Sequence, residues 1–327
     1  YVGDEYHTTV KPLDETTGAE KWTYKLTGPA TMHAMAPAAS GGLVYVPTTD
    51  SDTLLTAIDA NTGTLRFRYG QNTLPLAPIL APTFRSGVAY FFAGTSGNEM
   101  HAMGGLSGIR QWSRPRVGTV ASSPAVDNNL VYYYGAGALH IHDRVTGDPL
   151  GSIVDPASAG GNPPGATAVA NGSPGNAIAN SYNPGTNLHK LSSFNIANRQ
   201  WEWSSQYSYR PLFALAGGGI YATRRGTATL DALDLGRGPV LWSWAPPAAD
   251  SQYFAIYNVI ATKNLLFVST ESTTGPGYLY AIDLATHQEV WKYPETGYPV
   301  ISANRILYLA AGESGKAPRK VVAIKLR

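Results

Sequence analysis

The stretch Tyr278 to Trp291, reading YLYAIDLATHQEVW, recurs along the whole chain, and that recurrence limits the fold more than any other feature. An apolar run ends in Ala281-Ile282-Asp283, a short polar turn follows, and a Trp stands eight residues after the Asp. The pattern predicts a β-hairpin. The Asp at the strand end can accept backbone N–H groups of the turn, and a residue four positions later takes the positive φ that a tight hairpin needs. The Trp supplies a large apolar plate to pack against whatever lies beside the hairpin.

Copies of the unit begin at Pro12-Leu13-Asp14, Ala57-Ile58-Asp59, Ala102-Met103-Gly104, Ile141-His142-Asp143, Ser193-Phe194-Asn195 and Ala232-Leu233-Asp234, and a last half-unit is Ala323-Ile324-Lys325. Trp22, Phe67, Trp112, Trp203, Trp242 and Trp291 fill the aromatic position, which Gly151 leaves empty. Successive copies lie 39 to 52 residues apart. Each period holds about four strand signals, here called A to D from the inside outward, and such a period points to propeller blades. Each period also has two earlier strands, an upstream one that often contains Pro, as at Ala36-Pro37-Ala38, Leu76-Ala77-Pro78 and Ser123-Pro124-Ala125, and a strongly β-prone one, as at Leu43 to Val46 and Leu130 to Tyr134.

The expected architecture is all-β: a seven-bladed propeller of four-stranded antiparallel blades, forming one domain over residues 1–327. Glu20 to Leu26 is read as an outer strand with no A or B strand before it, and the C-terminus as bringing A, B and C strands with no D. Residues 1–26 would then complete a closing blade with 298–327, so that no sheet edge stays open. Eight blades follow instead if Tyr6 to Leu13 founds a blade of its own. Asp155 to Thr186, rich in Gly, Pro, Asn and Ala, is expected to hold the degenerate A and B strands of one blade rather than a domain boundary.

Charged residues make up 14% of the chain, against 35 Gly, 23 Pro and 20 Tyr, a balance that favours short strands and turns over helices. A formal net charge of +2 with no Lys/Arg run argues against a nucleic-acid partner. The absence of Cys removes disulfides, thiol chemistry and Cys-based metal sites. No apolar run reaches membrane-spanning length. Tyr1 rather than Met opens the chain, the expected result of removing a leader or a longer N-terminal part, and the Thr, Ser, Tyr and Gly richness points to a secreted or periplasmic protein, a monomer.

The A-x-D-x-x-T-G-x-x-x-W pattern resembles the tryptophan-docking repeat of quinoprotein alcohol dehydrogenases and their relatives, the PQQ-repeat propellers, over essentially the whole chain. Quinone-dependent members carry a vicinal Cys pair at the cofactor and usually have eight blades and greater length. This chain has no Cys, so a member without quinone is expected, and nothing in the sequence supports Ca²⁺. The resemblance also covers an outer-membrane assembly lipoprotein that acts as a binding scaffold, and secreted seven-bladed lyases that cleave uronic-acid polysaccharides.

In a propeller the D-to-A connections and B-to-C tips converge on one mouth of the channel. That places His33, Tyr209, Arg210, Tyr253 and Tyr298 with Asn98, Arg224, Arg225 and Glu271 as candidate site residues. Arg210, Arg224 and Arg225 would form a cationic wall for a carboxylate, sulfate or phosphate, with Asn98 and Glu271 as further ligand contacts. The other reading of the tip arginines is pairing with a nearby Asp or Glu. His33 as general base, with Tyr209, Tyr253 or Tyr298 as proton donor, would make a β-elimination site. His140 and His142 share a strand face as a metal pair would, but His142 fills the slot of Ile58, Met103 and Leu233, and packing is the better reading, so no metal site is expected. Asp50-Ser51-Asp52 lacks the Gly and closing Glu of a calcium loop and reads as a solvated turn.

Three functions follow. The first is a propeller that binds a carbohydrate, an acidic one in particular, or another anionic ligand. The second is a lyase cleaving next to a uronic acid, and the third an assembly scaffold or quinone-dependent dehydrogenase.

Overall fold

The aspartate of each repeat closes the turn that its own strand runs into. The computed structural model describes residues 2–3, 9–26, 37–48, 53–70, 81–93, 98–120, 122–158, 167–169, 175–247, 253–272, 277–312 and 320–326, with the backbone alone for 2–3, 167–169, 253–257 and 271–272. Within it, Asp59 Oδ1 accepts the backbone N–H groups of Asn61 and Thr62 at 3.0 Å each. Asp14, Asp143, Asp234 and Asp283 hold the second and third residues after them in the same way. Each carboxylate thus satisfies two donors that the hairpin ladder leaves over. At the next residue of the turn, Gly63 (φ 72°) and Gly147 (φ 75°) bring the chain back through the left-handed region. Arg199 and His287 take the same conformation, at φ 54° and 60°, where the repeat has no glycine.

The turn then receives the aromatic plate of the preceding blade. A Cβ built on Gly63 would lie 2.7 Å from the Trp22 ring, on Gly147 2.5 Å from Trp112, and on Gly238 2.6 Å from Trp203. Trp22 Nε1 donates to Ala60 O at 3.1 Å and Trp112 Nε1 to Arg144 O at 3.2 Å, in each case the carbonyl just after the turn's Asp. In the last full unit Trp242 stacks on His287 instead, with centroids 4.3 Å apart and planes at 19°. On its own blade the plate faces a small residue of strand C: Ala57 pairs with Phe67, Ala102 with Trp112, Ala232 with Trp242 and Ala281 with Trp291. A bulge follows each of these pairs, and it sets the register in which the aromatic reaches the next turn.

These hairpins extend into the six internal blades expected from the repeat, each a four-stranded antiparallel meander. Their strands, in A to D order, are Ala38–Ser40, Leu43–Pro47, Leu55–Asp59 and Leu65–Tyr69 in blade 1, and Thr83–Arg85, Val88–Ala93, Glu99–Gly104 and Arg110–Pro115 in blade 2. Blade 3 has Ala125–Val126, Leu130–Gly135, Ala138–Asp143 and Pro149–Val154; blade 4 has Thr167–Val169, Asn176–Asn183, Leu188–Asn195 and Gln200–Ser204. Blade 5 has Tyr209–Ala216, Gly219–Arg224, Leu230–Asp234 and Val240–Trp244; blade 6 has Tyr253–Ala261, Leu265–Ser272, Leu279–Asp283 and Glu289–Tyr293. The fold is the expected all-β propeller, and the irregular stretch after Asp155 does supply the A and B strands of blade 4. None of the described residues is helical, so no helix there is long and apolar enough to cross a membrane.

The chain ends differ from the expectation in one respect. Gly297–Ile301, Ile306–Ala311 and Lys320–Lys325 form a three-stranded sheet in A, B, C order, as expected for the closing blade. At the other end Tyr24–Lys25 is not a lone outer strand. It pairs with Thr9–Lys11, which pairs in turn with Val2–Gly3. The outer strand therefore belongs to a short three-stranded N-terminal sheet, within a fold that remains the expected seven-bladed propeller. Two- and three-residue strands leave little hydrophobic alternation to read, which is why Val2–Gly3 is not apparent in the sequence and Thr9–Lys11 shows only within the Tyr6 to Leu13 alternative.

The described residues group into two compact units, Tyr1–Val154 with Thr167–Val169, and Asp155–Ala166 with Ala170–Arg327. In the first, Val10 and Trp22 of the N-terminal sheet pack on Val44, Val46 and Ile58 of blade 1, and Tyr90 and Trp112 of blade 2 pack on Val131 and Tyr133 of blade 3. In the second, Ile178 and Trp203 of blade 4 meet Ile220 and Leu233 of blade 5, and Phe267 and Ala281 of blade 6 meet Leu307 and Leu309. Strands B and C are covered on both faces, as a blade between neighbours requires.

Candidate functional site

The end of blade 5 where its D-to-A entry meets its B-to-C tip gathers most of the described candidates. Strand pairing sets Tyr209 opposite Arg224, Ala222 opposite Asp231, and Asp231 opposite Ser243, so the side chains of Tyr209, Arg224, Asp231 and Ser243 meet at one end of one sheet. Asp231 is fully buried and is the acceptor for all of them. Its Oδ2 accepts the Tyr209 hydroxyl at 2.8 Å and Arg224 Nε at 2.5 Å, and its Oδ1 accepts Arg224 Nη2 at 3.0 Å and the Ser243 hydroxyl at 2.6 Å. The guanidinium also lies over the Tyr207 ring, 3.8 Å from its centroid.

This arrangement decides between the two readings of Arg224: it is held by a carboxylate in the two-point geometry that a ligand would otherwise offer. The Asp231 hydrogen bond holds its proton more firmly than usual. Tyr209 is one of three candidate proton donors with Tyr253 and Tyr298, and its hydroxyl is committed to Asp231. It is fully buried, and burial, then its bond to Asp231, push its hydroxyl far above the usual phenol range. It stiffens the blade end and faces no solvent.

The neighbouring candidates divide. Arg225 is exposed, and its backbone N–H donates to Ser208 O at 2.9 Å. Arg210 is partly buried, and its carbonyl accepts Asn180 Nδ2 at 3.4 Å. Tyr298 is 45% exposed, on the first strand of the C-terminal sheet. Asn98 is exposed before strand C of blade 2, in the other compact unit. Tyr253 and Glu271 lie on paired strands of blade 6, with side chains outside the described residues. His33, Asp50 and Asp52 also lie outside them.

One constellation has no counterpart among the sequence expectations. Tyr69, at the end of strand D of blade 1, places its hydroxyl 2.6 Å from His101 Nδ1, and His101 Nε2 lies 2.8 Å from Glu99 Oε2. The carboxylate accepts the Nε2 proton, so Nδ1 accepts from Tyr69. Burial depresses the protonation of His101 against the pull of Glu99, and burial pushes the Tyr69 hydroxyl up to about 12. The chain of bonds joins neighbouring blades, with Tyr69 edge-on to Phe91 at 5.4 Å. The sequence signal for it is an acidic residue two positions before a strand histidine, on the same strand face.

His140 and His142 behave as packing residues. They donate to Gly135 O and Gly147 O, at 3.0 Å each, and both stack on Tyr133. Among the described residues no three His, Cys, Asp or Glu side chains are grouped so as to hold a metal.

Aromatic plates seated on the turn of the next blade, repeated around six four-stranded meanders, define a PQQ-repeat β-propeller. The model of the family described as outer membrane protein assembly factor BamB matches residues 6–244, and the chain belongs to that family. Among solved structures, BamB from Moraxella catarrhalis is similar at 18% identity, covering 96% of this chain and 90% of its own, with a TM-score of 0.67. The computationally designed Ika8 protein matches at 14% identity over 90% of this chain and 96% of its own, TM-score 0.52. The Dos1 propeller matches at 12% identity over 87% of this chain and 78% of its own, TM-score 0.64. Among curated proteins none matches.

Proposed function

We propose that this protein is a non-catalytic binding propeller of the cell envelope that holds partner proteins during assembly of outer-membrane proteins. The observation that carries the reading is the match of residues 6–244 to the family of a named assembly factor. The geometry is in keeping with it: Tyr209 and Arg224, two of the residues a β-elimination could draw on beside Tyr253, Tyr298 and Arg210, are both committed to Asp231. An exported, periplasmic or surface location goes with this role, and so does a monomeric propeller whose partners are other proteins. The carbohydrate reading has less support, because the Tyr207 ring carries a guanidinium on one face.

The test is made in the native cell. Removing the chain is expected to lower the amounts of outer-membrane barrel proteins, and restoring it to recover them. Unchanged barrel levels, with unsaturated uronate product released when the purified chain meets uronate polysaccharides, would replace this reading with the lyase.

A further inference from the structure

The Ser205 to Ser208 connection between blades 4 and 5 is clamped from both sides by basic residues. From blade 4, Lys190 Nζ donates to Ser205 O at 2.7 Å and to Gln206 O, and the His189 backbone N–H donates to Ser208 Oγ at 3.0 Å. From blade 5, Arg225 N–H donates to Ser208 O at 2.9 Å, and Arg224 covers Tyr207. Folding of the two blades thus brings His189, Lys190, Arg224 and Arg225 around four residues of loop.

Of these four, Lys190 and Arg225 are poorly neutralised from within. Asp231 is taken up by Arg224, Tyr209 and Ser243. Among the described residues the Lys190 ammonium meets carbonyl dipoles and no carboxylate, and burial depresses its protonation. Among the same residues the Arg225 guanidinium has no hydrogen-bond or ion-pair partner, and the enclosed His189 Nδ1 has no hydrogen-bond partner. Burial, and after it the nearby Arg225 charge, disfavour protonated His189. Lys190 of blade 4 and Arg225 of blade 5 thus flank the loop with no carboxylate bound to either among the described residues, and an anion arriving there meets a ready field.

The surroundings say what kind of anion. The Tyr182 ring is covered on one face by His189, with centroids 4.7 Å apart, and Tyr207 by Arg224 at 3.8 Å, so a sugar ring finds those two stacking faces taken. Leu188 and Tyr207 are 38% and 37% exposed and offer apolar edges beside the charges. Acidic side chains alternating with apolar ones match that surface, as they do in an extended peptide.

We propose that the Ser205–Ser208 corner, flanked by His189, Lys190 and Arg225, is a docking site for an acidic, carboxylate-bearing segment of a partner polypeptide. This rests on the protein-binding reading above and names the chemistry of the partner.

The test uses the full chain and a fluorescein-labelled peptide of alternating Glu and Leu, followed by anisotropy. Saturable binding is expected, weakened tenfold or more in Arg225→Glu and weakened again as salt rises from low to physiological strength. Arg225 is exposed, and an unchanged circular dichroism spectrum would show that the variant folds. A control variant, Arg66→Glu, reverses an exposed charge in the other unit and is expected to bind as the parent does. Equal binding of a Gln/Leu peptide, an unaffected Arg225→Glu variant, or stronger binding of an oligogalacturonate or of inorganic phosphate would each overturn the proposal. The two readings fail separately. If barrel levels depend on the chain but Arg225→Glu sustains them fully, the assembly role stands and this corner falls; if barrel levels ignore the chain altogether, the assembly role itself is lost.

Discussion

Gly147→Ala is the sharpest probe of the docking that holds neighbouring blades in register. Two costs add at this position. The backbone sits at φ +75°, where an L side chain costs about 1 kcal/mol relative to glycine. The new methyl would also lie 2.5 Å from Trp112 Cδ2 and 2.6 Å from Cε3, so the buried indole must move and strain its bond to Arg144 O, an overpacking cost of about 1–3 kcal/mol. The expected loss is about 2–4 kcal/mol. Gly226→Ala supplies the control, because its φ is +79° and nothing lies within 4 Å of the added atom; it should lose only the strain, about 1 kcal/mol. Urea unfolding followed by far-ultraviolet circular dichroism measures both. Adding Trp112→Leu removes the plate, and in that background Gly147→Ala should cost no more than Gly226→Ala. Equal losses at the two glycines, or an undiminished loss without the indole, would refute the docking argument.

Two further outcomes follow from the polar groups. Asp231→Ala strands the Tyr209 hydroxyl and the Arg224 guanidinium together; breaking a buried pair costs about 3–5 kcal/mol, and the lower end applies because the Arg224 side chain is 25% exposed. A urea midpoint within error of the parent would contradict it. The turn carboxylates predict acid sensitivity. Backbone N–H groups hold the carboxyls of Asp59, Asp143 and Asp283 below the usual range, so the stability they supply is present above about pH 4 and is lost as pH falls through their folded values. Asp283→Asn keeps an acceptor for the turn but does not titrate. Its stability should fall less steeply than the parent's below about pH 4, and parallel curves would count against the assignment.

Much of this is legible because the repeat carries its own physics. The Asp announces its turn, the glycine its left-handed backbone, and the Trp eight residues on its seat in the next blade. The six internal blades and the degenerate strands after Asp155 follow from spacing alone. What stays hidden is pairing between positions with no fixed spacing. Arg224 is visible as a tip arginine, but its partner Asp231 looks like an interruption in an apolar strand, and only the B-to-C pairing brings the two together. The sequence puts Tyr209 at the right end of blade 5 but not in the right direction, since a loop-to-strand junction does not say which way a ring points. Val2–Gly3 escapes notice because so short a strand shows no periodicity, and Thr9–Lys11 is visible only within the Tyr6 to Leu13 alternative.

The position three residues before the turn aspartate, or before the residue that replaces it, shows where such blades can acquire function. It is occupied by Thr56, His101, His140, Ser192, Asp231 and Tyr280, and all but His140 are buried. The residue one before it lies on the packed face between blades and is apolar in every copy but one, where His142 is buried and donates to Gly147 O. Burying a polar group without a partner costs about 1–3 kcal/mol, and three of the polar side chains buried here, those of His101, Ser192 and Asp231, come with side-chain partners. His101 has Tyr69 and Glu99, Ser192 has Ser204 at 2.8 Å, and Asp231 has Tyr209, Arg224 and Ser243. Blades 2, 4 and 5 therefore carry hydrogen-bonded polar sets on strand C at positions other than the aromatic seats that hold neighbouring blades together. Charge left over from those sets, as at Arg225 and Lys190, is what the surface can offer to a partner.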